Sequence, residues 1–484
     1  MYEHSPLLQA IANHASVTPD KSAIIVNDVR VSYAELLTNI RKAASLLISM
    51  GVTPGSRIML SARKDIEYVY VYFASHVIGA ANVVVDAESN PERLRFIENK
   101  VNPVWCIGYV SPNIQSIALA DLKIADQAPI DKLPLGLTQD DTAEIMFTTG
   151  TTGNPKGVCL SHYNIFSSAL NINEFIGNGS DEVEVLGLPI CHSFGLGRLR
   201  CNIIQGATIV LLGNFANVRA FFAAIEKYQA TGFGMVPAVW AYIRKISGTR
   251  IAKYAPQIKY IEIGSAAMPL ASKEELCKLF PTTRICHHYG LTEASRSTFM
   301  EYHSSPDLNT IGKEVCDKVS VKIMDEQGNE VPPGEPGEMC VKGNMVLRSY
   351  LLPEDNKNAF FGDYFRTGDS GRRDANGNLY LVSRLKEMIN VGGKKVSPIE
   401  VEDAVFALGG VEDCAAVGIP DPNGIMGEVV KLFVQQPNCT RTLDEIAAHL
   451  SDKLPPYAIP VAYEWAPSIP KTSSGKKQRL KLKA

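Results

Sequence analysis

Paired cysteines are absent from this 484-residue chain: its ten cysteines are spread singly, and no Cys-x-x-Cys pair occurs. That spacing argues against a cysteine zinc site and a disulfide scaffold, and it is typical of a reducing compartment. An excess of positive charge is also missing, because the formal net charge is −3. We therefore expect a cytoplasmic protein that is not a general nucleic-acid binder.

Targeting and membrane segments are lacking as well. Residues 1–6 contain neither a basic region nor an apolar core, so they predict no secretion signal. The longest apolar stretch, residues 68–85, is interrupted by His76, Asn82 and other polar residues. This pattern favours a buried helix followed by a strand over a transmembrane segment.

The composition that remains is ordinary for a globular protein, with 45% hydrophobic and 20% charged residues. Helical patterns such as residues 33–50 alternate with short β-rich runs such as residues 57–60, which predicts an α/β architecture. Residues 319–382 are rich in strand patterns. After a seam near residues 383–386, patterns of helix, strand and helix begin afresh.

These patterns predict a division into two domains. Residues 1–384 form a large N-terminal domain of α/β layers with a β-rich subdomain. Residues 385–484 form a small α+β C-terminal domain.

The most informative segment is the glycine- and threonine-rich run of residues 148–157, which follows an apolar strand pattern. Glycines allow tight turns that bring backbone N–H groups close to a phosphate, and hydroxyls and a lysine add donors and charge. A flexible surface loop accounts for the glycines but not for the clustered hydroxyls. We predict a phosphate-binding loop made by Thr148, Thr149, Gly150, Thr151, Thr152, Gly153 and Lys156.

This loop is not a standard P-loop, in which Ser or Thr follows a Gly-Lys pair. Here Lys156 precedes the last glycine, and Val158 follows it. A dinucleotide fingerprint is absent too, because Gly232 and Gly234 continue into Met235 without the required third glycine.

A second polar cluster spans residues 287–295 and contains the Tyr289-Gly290 step. Glu293, just beyond that step, is a candidate Mg²⁺ ligand, although such an acid alone is also compatible with a solvated surface. His287 and His288 are adjacent, so on a strand they would point to opposite faces and would not share a zinc ion.

Three further segments carry polar groups. Asp369 follows a tight turn and could accept hydrogen bonds from a ribose diol, or could cap the turn itself. The basic, glycine-rich run of residues 384–395 is compatible with a solvated linker. Residues 470–479 are either a disordered basic tail or an ordered loop that presents one lysine.

These five segments, in this order and at these separations, resemble the adenylate-forming superfamily of acyl-CoA synthetases, peptide-synthetase adenylation domains and luciferases. The resemblance extends over about residues 6–479. It implies that a carboxylic acid is activated with ATP as acyl-AMP, with release of pyrophosphate, and then passes to a thiol. It also implies that the C-terminal domain is mobile.

The resemblance assigns a role to each motif. It implies that the residues 148–156 loop and Thr292 contact the ATP phosphates, and that Glu293 binds Mg²⁺. Asp369 and Arg384 would hold the ribose, with Tyr289 also at the nucleotide. Lys386 would be the hinge, and Lys476 would bridge the attacking carboxylate and the α-phosphate.

The acid-binding side differs from that of amino-acid-activating relatives, which carry an Asp where this chain has His192. His192, unless it is only a packed core residue, therefore indicates an acid without an α-amino group. Met268 and His288 stand where smaller residues are frequent, which predicts a restricted pocket for a short, medium-chain or compact aromatic acid. The expected pocket residues are His192, Ala266, Ala267, Met268, His288 and Gly290.

The thiol acceptor is expected to be coenzyme A, because the chain ends after the lysine motif with no fused carrier domain. An enzyme that loads the pantetheine of a separate acyl-carrier protein is the alternative. A nucleotide-binding regulator that keeps the fold without the chemistry is a third reading, against which Lys476, Glu293 and Asp369 all argue.

Overall fold

The computed structural model describes residues 2–86, 88–132, 134–148, 155–472 and 475–483. Its α-helices are α1 Pro6–Val17, α2 Tyr33–Ser49, α3 Ile66–Ile78, α4 Pro91–Val101, α5 His162–Ile176, α6 Ser193–Gln205, α7 Val218–Tyr228, α8 Pro237–Ser247, α9 Leu270–Leu279, α10 Pro398–Leu408 and α11 Leu443–Lys453. None of the helices in these ranges is long and apolar enough to cross a membrane.

Strands alternate with these helices through the first part of the chain. They are β1 Ser22–Val26, β2 Val29–Ser32, β3 Arg57–Ala62, β4 Ala81–Asp86, β5 Trp105–Ile107, β6 Ser116–Ile117, β7 Thr142–Phe147, β8 Gly157–Ser161, β9 Val183–Leu186, β10 Thr208–Leu211, β11 Gly232–Met235, β12 Tyr260–Ile263, β13 Arg284–Tyr289, β14 Thr298–Glu301 and β15 Lys313–Glu314.

The later strands are mostly antiparallel. They are β16 Val319–Met324, β17 Gly337–Gly343, β18 Ser349–Tyr350, β19 Phe360–Phe361, β20 Tyr364–Arg373, β21 Leu379–Arg384, β22 Ile389–Val391, β23 Lys394–Val396, β24 Cys414–Pro420, β25 Glu428–Gln435 and β26 Ala462–Ala466.

Local sequence accounts for many of these boundaries. Helix α2 begins at a capping box in which Ser32 and Glu35 satisfy each other's backbone N–H groups. Helix α3 ends at Gly79, which adopts the left-handed conformation that glycine tolerates best. The predicted buried helix and strand within residues 68–85 are therefore confirmed as α3 and β4.

Two large sheets form the N-terminal part. One has the order β15-β14-β13-β12-β11-β9-β10-β1-β2, and the other has the order β18-β8-β7-β4-β3-β5-β6. Strands β4 and β7 pair in parallel, so their carboxyl ends lie at the same edge of the second sheet. That edge is where open α/β sheets commonly bind ligands.

A third sheet forms the β-rich subdomain, with order β16-β17-β20-β19 and β21 paired to β20. The strand patterns of residues 319–382 also predict a strand at residues 331–334, which is wrong, because that segment contains two prolines and a turn. Val331 donates one backbone bond to Ile323, and the next strand starts only at Gly337.

The C-terminal part packs around its own core. Buried residues from Ile389 to Ala458 form a cluster separate from the main core, in which the last buried member is Leu379. Helices α10 and α11 pack together, and α10 covers the sheet β24-β25-β26. The predicted fold class, a large α/β part followed by a small α+β part, is confirmed.

Candidate active site

The threonine- and glycine-rich loop connects two paired strands at the ligand-binding edge of the second sheet. Strands β7 and β8 are antiparallel, and Phe147 pairs with Gly157. The Thr148 N–H donates to the Lys156 carbonyl at 3.0 Å, which closes the base of the loop. The predicted phosphate contacts Thr149, Gly150, Thr151, Thr152 and Gly153 lie outside the described residues.

Lys156 connects this loop to the second polar cluster. Its ammonium lies 3.5 Å from an Asp355 carboxylate oxygen and 4.8 Å from the centre of the Tyr350 ring. The Tyr350 hydroxyl in turn donates to Glu293 Oε1 at 3.1 Å. Sequence reasoning missed Tyr350, and no local pattern marks it, because its role comes from contacts made far along the chain.

Glu293 is a buried carboxylate whose pKa is raised, above all by burial, although the Tyr350 hydroxyl acts in the opposite direction. Mg²⁺ prefers hard oxygen ligands and commonly takes one or two carboxylates, with phosphates and water completing its shell. Glu293, linked through Tyr350 to Lys156 at the end of the predicted phosphate loop, therefore fits this ion.

Asp369 lies in strand β20 and is one of the residues that the third sheet contributes to the candidate site. It faces Arg384 across strands β20 and β21, and Arg384 Nε approaches Asp369 Oδ1 to 2.7 Å. The Tyr289 hydroxyl donates to the other oxygen at 2.6 Å. Burial raises the pKa of Asp369, and Arg384 and Tyr289 oppose that rise. The carboxylate is thus held rigidly beside Tyr289.

Lys476 reaches this group from the C-terminal segment. Its loop is tied by a bond from the Lys476 N–H to Thr472 Oγ1 at 3.1 Å. Burial and Arg384 lower the pKa of Lys476, whereas Asp369 and Glu293 act to raise it. The charges of the ribose candidate and of the magnesium candidate therefore both act on Lys476.

The two neighbouring lysines are engaged elsewhere. Lys477 lies 2.7 Å from Glu402 and 3.1 Å from Asp413, and Lys471 lies 2.5 Å from Asp413. These ion pairs lie within the C-terminal part, so neither lysine is directed at the nucleotide site.

His192 lies just before helix α6, in its N-cap position. Ligand atoms of His192, Cys191 and Asp86 are all within 4.8 Å of one another. Burial lowers the pKa of His192 while Asp86 opposes that shift, and Lys476 lowers it further. Asp86 was missed by sequence reasoning, although a single acid that ends the apolar strand β4 was an available signal.

The two adjacent histidines point to opposite faces of β13, as predicted. His287 Nδ1 is 2.9 Å from the Tyr302 hydroxyl, whereas His288 Nδ1 is 2.7 Å from Glu262 Oε1. The Met268 sulfur contacts the Tyr302 hydroxyl at 3.6 Å. Met268 therefore lies on the His287 side of the strand, and only His288 faces Glu262.

The remaining predicted residues occupy less constrained positions. Thr292 and Ala266 are half-buried, and Ala267 is exposed. Gly290 packs so closely that a Cβ there would come within 2.3 Å of the Arg296 backbone nitrogen. Lys386 is exposed in the short 3₁₀ turn that leaves β21.

The chain matches two known families. Residues 11–351 match the AMP-binding enzyme family, and residues 400–476 match the AMP-binding enzyme C-terminal domain.

Individual relatives match over almost the whole chain. A feruloyl-CoA synthase of Amycolatopsis is 29% identical, covering 96% of this chain and 95% of its own. A long-chain-fatty-acid–CoA ligase of Mycobacterium tuberculosis is 28% identical, with the same two coverages. The o-succinylbenzoate-CoA synthetase of Bacillus subtilis, solved with its acyl-adenylate, has a TM-score of 0.88 at 26% identity and covers 98% of each chain.

The family match and the CoA-ligase relatives show an AMP-forming acid–thiol ligase. The chain belongs to the AMP-binding enzyme family.

Proposed function

We propose that this ligase activates a short, medium-chain or compact aromatic carboxylic acid as acyl-AMP and transfers the acyl group to coenzyme A. The observation that carries the proposal is that Lys476, from the C-terminal part of the chain, lies near enough to Asp369 and Glu293 for their charges to raise its pKa against the effect of burial. We propose residues 1–384 and 385–484 as the two domains, with Lys386 as the hinge between them.

The charges in the site support the first half-reaction. Glu293 and Asp369 have raised pKa values and Lys476 has a lowered one, each mainly because of burial, so the charged forms are incompletely compensated. ATP phosphates beside Lys476 and Mg²⁺ beside Glu293 would complete the balance. Magnesium, when bound, neutralises phosphate charge and lowers the barrier to attack by an anionic carboxylate.

Some of these residues bind the substrates, and one of them stabilises the transition state. Thr148, Lys156 and Thr292 face the phosphates, and the Asp369–Arg384 pair orients the ribose. Lys476 stabilises the charge that develops as the carboxylate attacks the α-phosphate. His192, whose pKa Lys476 helps to lower, would limit access to the acyl side.

The acid pocket should be small because a buried charged group lies next to His288. Glu262, Arg198 and Arg296 are buried there with at most 2% of their surface exposed. A long alkyl chain would have to displace or desolvate this charged group, which is costly. A compact acid is too short to reach this charged group.

Pyrophosphate exchange across a panel of carboxylic acids tests the proposal. We expect acid-dependent exchange for short, medium-chain or aromatic acids and little exchange for long-chain fatty acids. Assay of the acyl-AMP with coenzyme A and with an acyl-carrier protein then identifies the thiol acceptor. A preference for long-chain acids would refute the substrate assignment. Failure of every acid in the panel to support exchange would refute the activity.

A further inference from the structure

A balanced ion-pair network lies behind the proposed acyl pocket. Arg198 Nε donates to both Glu184 oxygens at 3.0 Å, and Arg198 Nη1 donates to Glu262 at 3.1 Å. Arg296 Nε also donates to Glu262 at 3.1 Å. Two carboxylates therefore face two guanidinium groups, and the buried charge sums to zero without any contribution from a histidine.

His288 is attached to this network through one ring nitrogen. Its Nδ1 lies 2.7 Å from Glu262 Oε1, and burial lowers the pKa of His288 although Glu262 acts to raise it. Because the surrounding charges already balance and Nδ1 lies 2.7 Å from a carboxylate oxygen, we assign the neutral imidazole with its proton on Nδ1, although the approach to Glu262 is too bent for a well-formed hydrogen bond. Nε2 then carries a lone pair and can only accept a hydrogen bond.

The ring cannot turn this acceptor away. It packs edge-to-face against Phe194 at 4.7 Å and against Phe299 at 5.6 Å. Nε2 lies directly over Gly264, where an added Cβ would be only 2.1 Å from it. The chain continues from Gly264 into Ala266 and Ala267 of the proposed pocket.

Among the described residues no hydrogen bond joins Nε2 to the protein, and Nε2, unlike Nδ1, is not among the fully buried unpaired atoms, while His288 keeps 8% of its surface exposed. An acceptor that is fixed, poorly solvated and unpaired favours a ligand that brings a donor.

We propose that His288 is a specificity-determining residue and that the preferred substrates are compact acids with a hydroxyl or N–H group at the end remote from the carboxylate. This inference rests on the proposed function, since it identifies the substrate class of the same site. A site built around a buried acceptor rejects an analogue that lacks the donor, because the acceptor is then left unpaired.

Matched pairs of acids test the proposal. Each pair shares one skeleton, either aromatic or short aliphatic, and carries a terminal hydroxyl or the similarly sized methyl group. With the wild-type enzyme we expect kcat/KM for pyrophosphate exchange to favour the hydroxyl acid by roughly 10–100-fold. In His288→Phe, which keeps a ring but removes the acceptor, the hydroxyl-to-methyl ratio should fall towards one.

His287→Phe is the matched control, because His287 lies on the opposite face of β13 and contacts Tyr302. It should leave the hydroxyl-to-methyl ratio unchanged. A wild-type ratio near one, an unchanged ratio in His288→Phe, or a preference for a second carboxylate in place of the hydroxyl would each overturn the assignment. Absence of exchange with every acid would instead refute the proposed function. If His288→Phe fails to fold, the wild-type ratio alone decides.

Discussion

A lysine can stabilise a developing phosphate charge only if its own charge is not already neutralised by a nearby carboxylate. Lys477 and Lys471 do not meet this condition, because each forms ion pairs with acids of the C-terminal part. Among the described residues no carboxylate lies within ion-pair distance of Lys476, although Asp369 and Glu293 influence its pKa. Its charge is available to substrate, whereas the charges of its neighbours stabilise the fold.

Replacing Lys476 should therefore separate the two half-reactions. We expect Lys476→Ala to reduce acyl-AMP formation by about 10²–10³-fold, the typical cost of removing one transition-state donor. Thioester formation from supplied acyl-AMP should be nearly unchanged. Single-turnover assays of each half-reaction measure both effects, and Lys481→Ala, an exposed lysine of the same segment, is the control. Equal losses in both half-reactions would rule out the role assigned to Lys476.

Glu293 and Tyr350 allow a graded test of the magnesium assignment. Glu293→Gln keeps the side-chain size but removes the charge, so we expect a higher Mg²⁺ concentration for half-maximal pyrophosphate exchange and a rate about 100-fold lower. Tyr350→Phe removes only the hydroxyl that donates to the Glu293 carboxylate, so its effect should be about tenfold, the low end expected for one hydrogen bond to a charged group. A Mg²⁺ dependence unchanged in Glu293→Gln would argue against this ligand.

At the scale of elements, three histidines join the helices beneath the second sheet. His76 lies in α3, His162 begins α5, and His4 precedes α1, with the rings edge-to-face at 4.9 and 5.6 Å. Both ring nitrogens of His76 and of His162 lack hydrogen-bond partners in the described structure. Burial lowers the pKa of His162 to about 3 and that of His76 well below its usual value.

This cluster should make the fold sensitive to acid. Between the unfolded histidine pKa of about 6.5 and the folded value, the unfolded chain binds more protons, so stability falls as the pH drops. Each such histidine should cost about 2 kcal/mol of stability at pH 5 relative to pH 7. In His162→Phe the melting temperature should fall less over this range than in the wild type. Identical pH profiles for the two proteins would contradict this account.

The sequence predicts features that depend on local patterns better than features that depend on contacts between distant residues. Helix α2 and strand β12 follow from apolar periodicity and from turn residues, which are local signals. The contacts of Asp86 with His192 and of Tyr350 with Glu293 join residues that are distant in the chain, so no periodicity reveals them. The network around Arg198 was hidden for the same reason, because Arg198 lies in α6 whereas its partners Glu184 and Glu262 lie in β9 and β12.

At the scale of the whole molecule, the described structure shows one arrangement of the two parts. Lys476 points into the nucleotide site, and a Cβ built on Gly475 would lie 3.7 Å from the Ala238 side chain at the start of α8. This is the separation found between the Cβ atoms of a disulfide. On the proposed mechanism, Lys476 occupies the site during adenylation and would have to withdraw before the thiol enters.

A disulfide at this contact should therefore trap the enzyme after its first half-reaction. We expect the oxidised Ala238→Cys/Gly475→Cys variant to keep pyrophosphate exchange but to lose transfer of the acyl group to coenzyme A, and a reductant to restore the transfer. Gly475 has a φ of +83°, so a cysteine there carries strain of roughly 1–2 kcal/mol, which a folded two-domain protein tolerates. The oxidised single variants are the controls, because they account for the native cysteines. Equal rates of thioester formation before and after reduction would show that the two parts need not separate, and the hinge assigned to Lys386 would then have no function.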